Sequence, residues 1–186
     1  MNLPTKFTVF RILITPLFVV SLMLGSPGWD LAALVLFLAG MLSDYIDGRL
    51  ARSYNQVTGL GQLLDPLADK ILISAAFISF VGRGEIALPA WMVIVIVSRE
   101  FAITGLRLVA AGRGVVLPAG LWGKHKTFSQ VVAAGAVLLY LAFHGSSGWI
   151  AARLPLVMGL VWICVVLTAV SGLYYFFRHW TLLRPK

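Results

Sequence analysis

The chain carries four aspartates in one short stretch, at spacings that suit two neighbouring helices. The stretch reads Asp44-Tyr-Ile-Asp47-Gly48-Arg-Leu-Ala51-Arg52, then eight further residues, then Gly61-Gln-Leu-Leu-Asp65-Pro-Leu-Ala-Asp69. Residues three or four apart lie on one face of a helix, so Asp44 shares a face with Asp47, and Asp65 with Asp69. Two such helices joined by a hairpin would direct all four carboxylates toward one point.

These carboxylates stand in a very apolar chain. Of its 186 residues, 60% are hydrophobic and 12% are charged. Ionisable side chains at membrane depth are costly and mark a functional site by default. Four anions near one point need protons or cations between them, and oxygen ligands without Cys or His nearby favour Mg²⁺, Mn²⁺ or Ca²⁺ over zinc. A pair of such ions is the usual arrangement for displacement at a phosphorus centre.

Hydropathy predicts an all-α integral membrane protein with a single domain over residues 1–186. Six apolar stretches, each about as long as a membrane-spanning helix, are bounded by charge, Gly or Pro. They cover residues 7–24, 31–50, 63–81, 86–109, 127–143 and 153–177. A buried core helix is the alternative for any one stretch, but six in a row predict six transmembrane helices.

The basic residues predict the orientation of these helices. With the N-terminus inside, all of the 15 Lys and Arg except Arg83 and Arg153 fall at or toward the cytoplasmic side. This is the positive-inside pattern, so we expect both termini in the cytoplasm and the four aspartates at the cytoplasmic face. The net charge of +8 favours contact with anionic lipid. Nucleic acid is not an expected partner, because the chain offers no soluble basic face.

Two further features limit the class of protein. The single cysteine, Cys164, lies inside the sixth apolar stretch, which excludes a disulfide framework. The run Leu24-Gly25-Ser26-Pro27 is a poor signal-peptide cleavage site, so we expect the first apolar stretch to remain in the protein.

The aspartate stretch carries a resemblance to a known family. It meets every fixed position of the pattern D-x-x-D-G-x-x-A-R-x8-G-x3-D-x3-D, and so resembles the signature of the CDP-alcohol phosphatidyltransferases, membrane enzymes of six helices. The resemblance implies that an alcohol attacks the lipid-side phosphorus of a CDP-lipid and expels CMP, beside two Mg²⁺ or Mn²⁺ ions in a polar cavity at the cytoplasmic side. It implies that Asp44, Asp47 and Asp65 are metal ligands. Asp69 then takes the alcohol proton and also contacts the second ion.

The other motif positions are expected to bind the CDP-lipid. Gly48 and Ala51 have almost no side chain, so a nucleotide could lie against the helix backbone. Arg52 presents a fork of donors that suits phosphate, and Gly61 permits close packing of the next helix. Thr8 belongs to an N-terminal run that would serve equally well as the amphipathic start of the first span.

Two later segments bear on the identity of the alcohol. They read Ser98-Arg99-Glu100-Phe-Ala-Ile-Thr104-Gly-Leu-Arg107 and Gly123-Lys124-His125-Lys126-Thr127-Phe-Ser-Gln130. Glu100, Thr104 and Arg107 follow i, i+4, i+7 spacing and therefore share one helix face. A purely structural interpretation is that Glu100 forms an interhelical ion pair with a neighbouring arginine. The second segment could equally be a basic collar at the membrane surface, although neutral polar groups on the same face favour a site.

With the N-terminal run, these segments resemble the phosphatidylglycerophosphate synthase branch of the family. The acceptor implied is sn-glycerol 3-phosphate, and its phosphate would bind Arg99, Arg107, Lys124 and Lys126. The implied reaction consumes CDP-diacylglycerol and yields phosphatidylglycerophosphate and CMP, in a homodimer in the cytoplasmic (inner) membrane. Inositol phosphate remains an alternative acceptor. Outside the class, a cation-coupled transporter is the rival, although such proteins usually show repeats and interrupted helices.

Overall fold

The described part of the chain is helical throughout. A computed structural model describes residues 3–54, 59–112, 121–146 and 148–178, with the side chains of 9–43, 70–112, 126–146, 148 and 150–178. These residues form no strand. The helices are α1 (Leu3–Leu24), α2 (Pro27–Tyr54), α3 (Gly59–Val81), α4 (Ala90–Gly112), α5 (Leu121–Phe143), α6 (Gly148–Ala151) and α7 (Leu154–Arg178). The six long helices correspond to the six predicted stretches, so the all-α prediction is confirmed.

A tight turn joins α1 to α2. Gly25 has a φ of 62°, the left-handed conformation that commonly ends a helix and that glycine adopts without steric cost. The carbonyl of Ser26 accepts a hydrogen bond from the backbone N–H of Asp30 at 2.8 Å, which starts α2. Pro27 occupies the first helical position, where its missing N–H costs little. The turn therefore makes α1 and α2 adjacent antiparallel helices, and α2 begins about one turn before the predicted residue 31.

The core lies where α1, α2, α3 and α5 meet. Helix α1 packs on α2 and α3, α2 on α5, and both α4 and α5 on α7. Phe18 and Phe37 are fully buried, with ring centroids 6.1 Å apart. A Cβ added at Gly40 of α2 would collide with the end of the Leu72 side chain of α3, so the glycine leaves room for that leucine. This contact joins α2 and α3 next to the segments that carry the aspartates.

The connection from α3 to α4 differs from the prediction. We expected a span over 86–109, whereas α4 begins at Ala90. Ile86 and Leu88 are only 3% exposed but lie in the connection, so their apolar character reflects burial in a loop. Pro89 disfavours helical geometry at the residue before it, which explains the later start. Ala87 has a φ of 45°, a costly conformation for a residue with a Cβ.

An ion cluster ties this connection to the turn between α1 and α2. We call it the Arg83 cluster, and it comprises Arg83, Asp30, Glu85 and the carbonyl of Leu22. Arg83 donates to the two carboxylate oxygens of Asp30 at 2.5 and 2.8 Å. It also donates to Glu85 at 2.9 and 3.2 Å and to the Leu22 carbonyl at 3.0 Å. The hydrogen bonds to Asp30 raise the pKa of Arg83, and those from Arg83 lower the pKa of Glu85.

The outer surface of the described helices is rich in large apolar side chains. Leu13, Met23 and Phe177 are 65%, 78% and 73% exposed, as expected where lipid rather than water covers the protein. Among the described residues, two helical segments are long and apolar enough to cross a membrane, namely Lys126–Phe143 and Leu154–Arg178. Shorter apolar segments cover Val9–Leu24, Pro27–Ser43 and Lys70–Val81. The fold is thus all-helical, with two candidate membrane spans, and is consistent with a membrane protein.

Candidate active site

The four aspartates lie on two helices, as their spacing predicts. Asp44 and Asp47 fall in the C-terminal half of α2, and Asp65 and Asp69 in the N-terminal half of α3. The side chains of these four residues are outside the described part of the chain. The same is true of the predicted CDP-lipid residues Gly48, Ala51, Arg52, Gly61 and Thr8, whose backbones belong to α1, α2 and α3. The structure therefore confirms helical placement of the motif, and the assigned roles remain predictions.

A polar cavity lies between four helices, one turn from the motif on α2 and α3. Its volume is about 170 Å³. It is lined by Met41 of α2, by Lys70, Ile73 and Ser74 of α3, by Glu100 of α4, and by Lys126, Thr127, Gln130 and Val131 of α5. Met41 lies three residues before Asp44, and Ile73 four residues after Asp69. The motif segments of α2 and α3 therefore directly adjoin the residues that line the cavity.

One buried carboxylate organises the wall formed by α4 and α5. Glu100 is 6% exposed, and its Oε1 forms an ion pair with Lys126 Nζ. The same oxygen accepts a hydrogen bond from Gln130 Nε2 at 3.2 Å and lies 3.5 Å from Arg99 Nη1. We call Glu100, Arg99, Lys126 and Gln130 the Glu100 cluster. The expected interhelical ion pair of Glu100 is therefore present, but its close partner is Lys126 rather than an arginine.

A second contact joins α3 to the same part of α4. Lys70 Nζ donates to Thr104 Oγ1, and that hydroxyl donates to the carbonyl of Glu100 at 2.7 Å. Lys70 directly follows Asp69 in the sequence. The contact therefore fixes the register between the end of α3 that carries the motif and the helix that carries Glu100.

The two arginines of α4 both reach α7. Arg99 packs so closely on Gly172 that a Cβ there would lie 2.7 Å from Arg99 Cγ. The buried Nε of Arg99 has no hydrogen-bond partner among the described residues. Arg107 donates to the Tyr175 hydroxyl at 3.2 Å, and its guanidinium carbon lies 5.4 Å from the centre of that ring. Arg107 thus lies against α7, whereas Glu100 and Thr104, from the same predicted stripe, face α3 and α5.

The structure brings together part of the predicted acceptor site. Arg99 and Lys126 meet at Glu100, Arg107 lies at the contact with Tyr175, and the Lys124 side chain is outside the described residues. Thr127 and Gln130 line the cavity with Lys126, as their shared helix face predicts. Lys70 and Ser74 also line the cavity and were not predicted from the sequence. The signal for Lys70 was a charge directly after Asp69 at the start of an apolar run.

Comparison with known proteins identifies the family. The family model described as CDP-alcohol phosphatidyltransferase matches residues 1–174. The chain belongs to the CDP-alcohol phosphatidyltransferase family, which confirms the resemblance and the prediction of a transferase.

Similar proteins cover nearly the whole chain. Two of them are named CDP-diacylglycerol–glycerol-3-phosphate 3-phosphatidyltransferase. The one from Bacillus subtilis (strain 168) is 44% identical over 199 residues, covering 100% of this chain and 98% of its own. The one from Rickettsia bellii (strain RML369-C) is 34% identical over 177 residues, covering 94% and 93%. A protein from Mycobacterium tuberculosis (strain ATCC 25618 / H37Rv), named probable phosphatidylglycerophosphate synthase, is 36% identical over 180 residues, covering 95% and 81%.

Proposed function

We propose that this protein transfers the phosphatidyl group of CDP-diacylglycerol to sn-glycerol 3-phosphate, giving phosphatidylglycerophosphate and CMP. The observation that carries the proposal is the cation-rich polar cavity directly beside the aspartate segments of α2 and α3. Lys70 and Lys126 line it together with Glu100, whose carboxylate is the one acidic group among the described lining residues, and Arg99 lies 3.5 Å from the Glu100 oxygen that Lys126 contacts. Such a site suits an acceptor that carries a phosphate. The similarity to the Bacillus subtilis protein over the full chain supports the same substrates.

The setting proposed for this reaction is the cytoplasmic membrane. The six long helices would each cross the bilayer, with both termini and the aspartates at the cytoplasmic face. Support comes from the exposed apolar side chains of the helices and from the distribution of Lys and Arg. A polar cavity inside a membrane protein is tolerated where protein and water line it. The single domain over residues 1–186 and the homodimer remain predictions, and the second can be tested by the mass of the purified protein in detergent.

A divalent metal site is part of the proposal. Asp44, Asp47, Asp65 and Asp69 would supply carboxylate oxygens, the donors that Mg²⁺ and Mn²⁺ prefer. The donor set fits two ions, since four carboxylates on adjacent helices carry enough negative charge for both. Bound there, the ions would neutralise charge on the phosphate oxygens of the CDP-lipid.

The protein's own residues would hold the two substrates and move one proton. Gly48, Ala51, Arg52, Gly61 and Thr8 are proposed to contact the CDP-lipid, whose acyl chains stay in the bilayer. A hydroxyl oxygen of glycerol 3-phosphate forms a bond to the lipid-side phosphorus, the bond from that phosphorus to CMP breaks, and Asp69 takes the hydroxyl proton. A base needs to reach that proton directly or through one water.

The acceptor phosphate is proposed to bind the basic side chains of α4 and α5. Lys126 lines the polar cavity, and Arg99 meets it at the carboxylate of Glu100. The buried Nε of Arg99, in the part of the side chain that packs against Gly172, has no hydrogen-bond partner among the described residues. Arg107, held by Tyr175, and Lys124 complete the proposed set. Inositol phosphate would satisfy the same cations, so only an assay separates the two acceptors, whereas family membership favours the enzyme over a transporter.

The experiment is CMP release by purified protein in detergent with CDP-diacylglycerol and Mg²⁺. Glycerol 3-phosphate, inositol phosphate and serine are offered separately, with EDTA and Asp69→Asn as loss-of-function conditions. Glu85→Gln is the control variant, because Glu85 belongs to the Arg83 cluster beyond the other end of α3 from the motif. We expect release with glycerol 3-phosphate alone, abolished by EDTA and by Asp69→Asn but retained by Glu85→Gln. Release with a different acceptor would overturn the proposed substrate.

A further inference from the structure

Glu100 is the one acidic residue among the described residues of the cavity wall. It is buried, and one of its oxygens, Oε1, receives Lys126, Gln130 and, more distantly, Arg99. These partners come from the next helix as well as from α4 itself. A buried charge persists only when it is paired and hydrogen-bonded, so the carboxylate and its cations are interdependent.

The cations of this region differ in their partners. Lys126 and Arg99 meet at Oε1 of Glu100, whereas Lys70 donates to the Thr104 hydroxyl. A phosphate monoester carries about −1.5 to −2 charges at neutral pH. An acceptor phosphate at Lys126 would therefore meet a cation that Glu100 already holds in place.

When no acceptor is bound, the carboxylate of Glu100 offsets the repulsion between Arg99 and Lys126, which both lie near its Oε1. Removal of the carboxylate charge would let the two side chains separate. The two side chains would then have to be brought back together each time an acceptor bound, and the free energy of doing so would weaken binding. The same removal would leave the aspartate segments unchanged, because Glu100 lies on α4 and the motif on α2 and α3.

We propose that Glu100 is a positioning residue for the acceptor: it fixes Lys126 in the cavity wall, with Arg99 beside it, and chiefly through Lys126 sets the affinity for a phosphate-bearing acceptor. This inference rests on the proposed function. Glu100 itself touches neither the reacting phosphorus nor the leaving group. Its effect therefore falls on the KM for glycerol 3-phosphate and leaves the KM for CDP-diacylglycerol nearly unchanged.

The test compares Glu100→Gln with Glu85→Gln. Both substitutions remove one carboxylate charge from an ion pair and keep the side-chain length, but only Glu100 lines the cavity. We expect Glu100→Gln to raise the KM for glycerol 3-phosphate about tenfold, equivalent to about 1.4 kcal/mol. The KM for CDP-diacylglycerol should stay within about twofold, as should both constants of Glu85→Gln. Glu100→Asp, which restores the charge, should recover part of the loss.

A double-mutant cycle with Lys126→Gln shows whether Glu100 acts through the lysine. If it does, Glu100→Gln should raise the KM for glycerol 3-phosphate only about twofold in the Lys126→Gln background, because the interacting partner is already absent. Fully additive effects would overturn the proposal, since they would mean that Glu100 contacts the acceptor independently. If Glu100→Gln does not fold, judged by size-exclusion chromatography and thermal unfolding, Glu100→Asp and the Lys126→Gln, Glu100→Gln double variant carry the test.

Two outcomes separate this inference from the proposed function. If the wild type uses glycerol 3-phosphate but Glu100→Gln keeps the wild-type KM for it, the positioning role is wrong. The role is also wrong if Glu100→Gln lowers only kcat and leaves that KM unchanged. If the wild type shows turnover only with another phosphate-bearing alcohol, the proposed acceptor is wrong. The same variants assayed with that alcohol then decide the positioning role, which depends on the phosphate and not on the rest of the acceptor.

Discussion

The Arg83 cluster predicts a large and specific loss of stability in Arg83→Met. Asp30 is 1% exposed, and both of its carboxylate oxygens accept hydrogen bonds from Arg83. Methionine keeps the apolar stem but leaves Asp30 as a buried charge without its cation. Removal of one partner of a buried ion pair costs about 3–5 kcal/mol. For a chain of this size each kcal/mol lowers the unfolding midpoint by about 2–4 °C, so we expect a decrease of roughly 6–20 °C.

Two comparison variants make this prediction specific. Glu85 is bound to the same guanidinium, but its side chain is 32% exposed, so Glu85→Gln should cost less than about 1 kcal/mol. The double variant Asp30→Asn, Arg83→Met removes the uncompensated charge and should be more stable than Arg83→Met alone. The assay is thermal unfolding of the purified protein in one detergent at pH 7.

An Arg83→Met variant that loses no more stability than Glu85→Gln would contradict this prediction. A double variant less stable than Arg83→Met would contradict it too, because the penalty would then come from lost hydrogen bonds rather than from the buried charge. CMP release measured well below the unfolding midpoint should resemble that of the wild type, since the Arg83 cluster contributes no residue to the polar cavity.

Three further outcomes are expected. Ala87→Gly should stabilise the protein by about 1 kcal/mol, measured as a higher unfolding midpoint, because Ala87 has a φ of 45° that glycine adopts freely. Hydrogen bonds from Arg83 lower the pKa of Glu85 in the folded protein below its ordinary value of 4.5. The difference in unfolding free energy between the wild type and Glu85→Gln should therefore be constant above pH 4.5 and vanish as the pH falls through that lowered pKa. Gly172→Ala places a Cβ 2.7 Å from Arg99 Cγ and should raise the KM for glycerol 3-phosphate, whereas Gly135→Ala, with open space around it, should not.

Helical periodicity and apolar length predicted most of the architecture. The six long helices follow the apolar stretches, and the aspartate pairs fall on α2 and α3 as their three- and four-residue spacing requires. Lys126, Thr127 and Gln130 line one cavity because the intervals between them suit one helix face. Local patterns of this kind depend only on residues a few positions apart, so the sequence displays them directly.

Long-range partners were not predictable in the same way. Lys126 pairs with Glu100, Lys70 with Thr104, and Arg107 with Tyr175, 68 positions along the chain. Each pairing depends on how whole helices rotate and pack, which no local spacing encodes. Ile86 and Leu88 misled the prediction for a related reason, because an apolar run has the same composition in a buried loop as in a helix.

The ion pair between α4 and α5 has a consequence for how the protein is made. Helix α4 carries Arg99, Glu100 and Arg107, and it is not among the segments apolar enough to cross a membrane by themselves. Each such charge at the centre of a lone inserting helix costs about 2.5–3.5 kcal/mol. Helix α5 carries the lysine that neutralises Glu100 and follows only after residues 113–120. During synthesis on the ribosome, α4 should therefore enter the bilayer together with α5 as a hairpin, and truncation of the nascent chain before Lys126 should leave α4 poorly inserted.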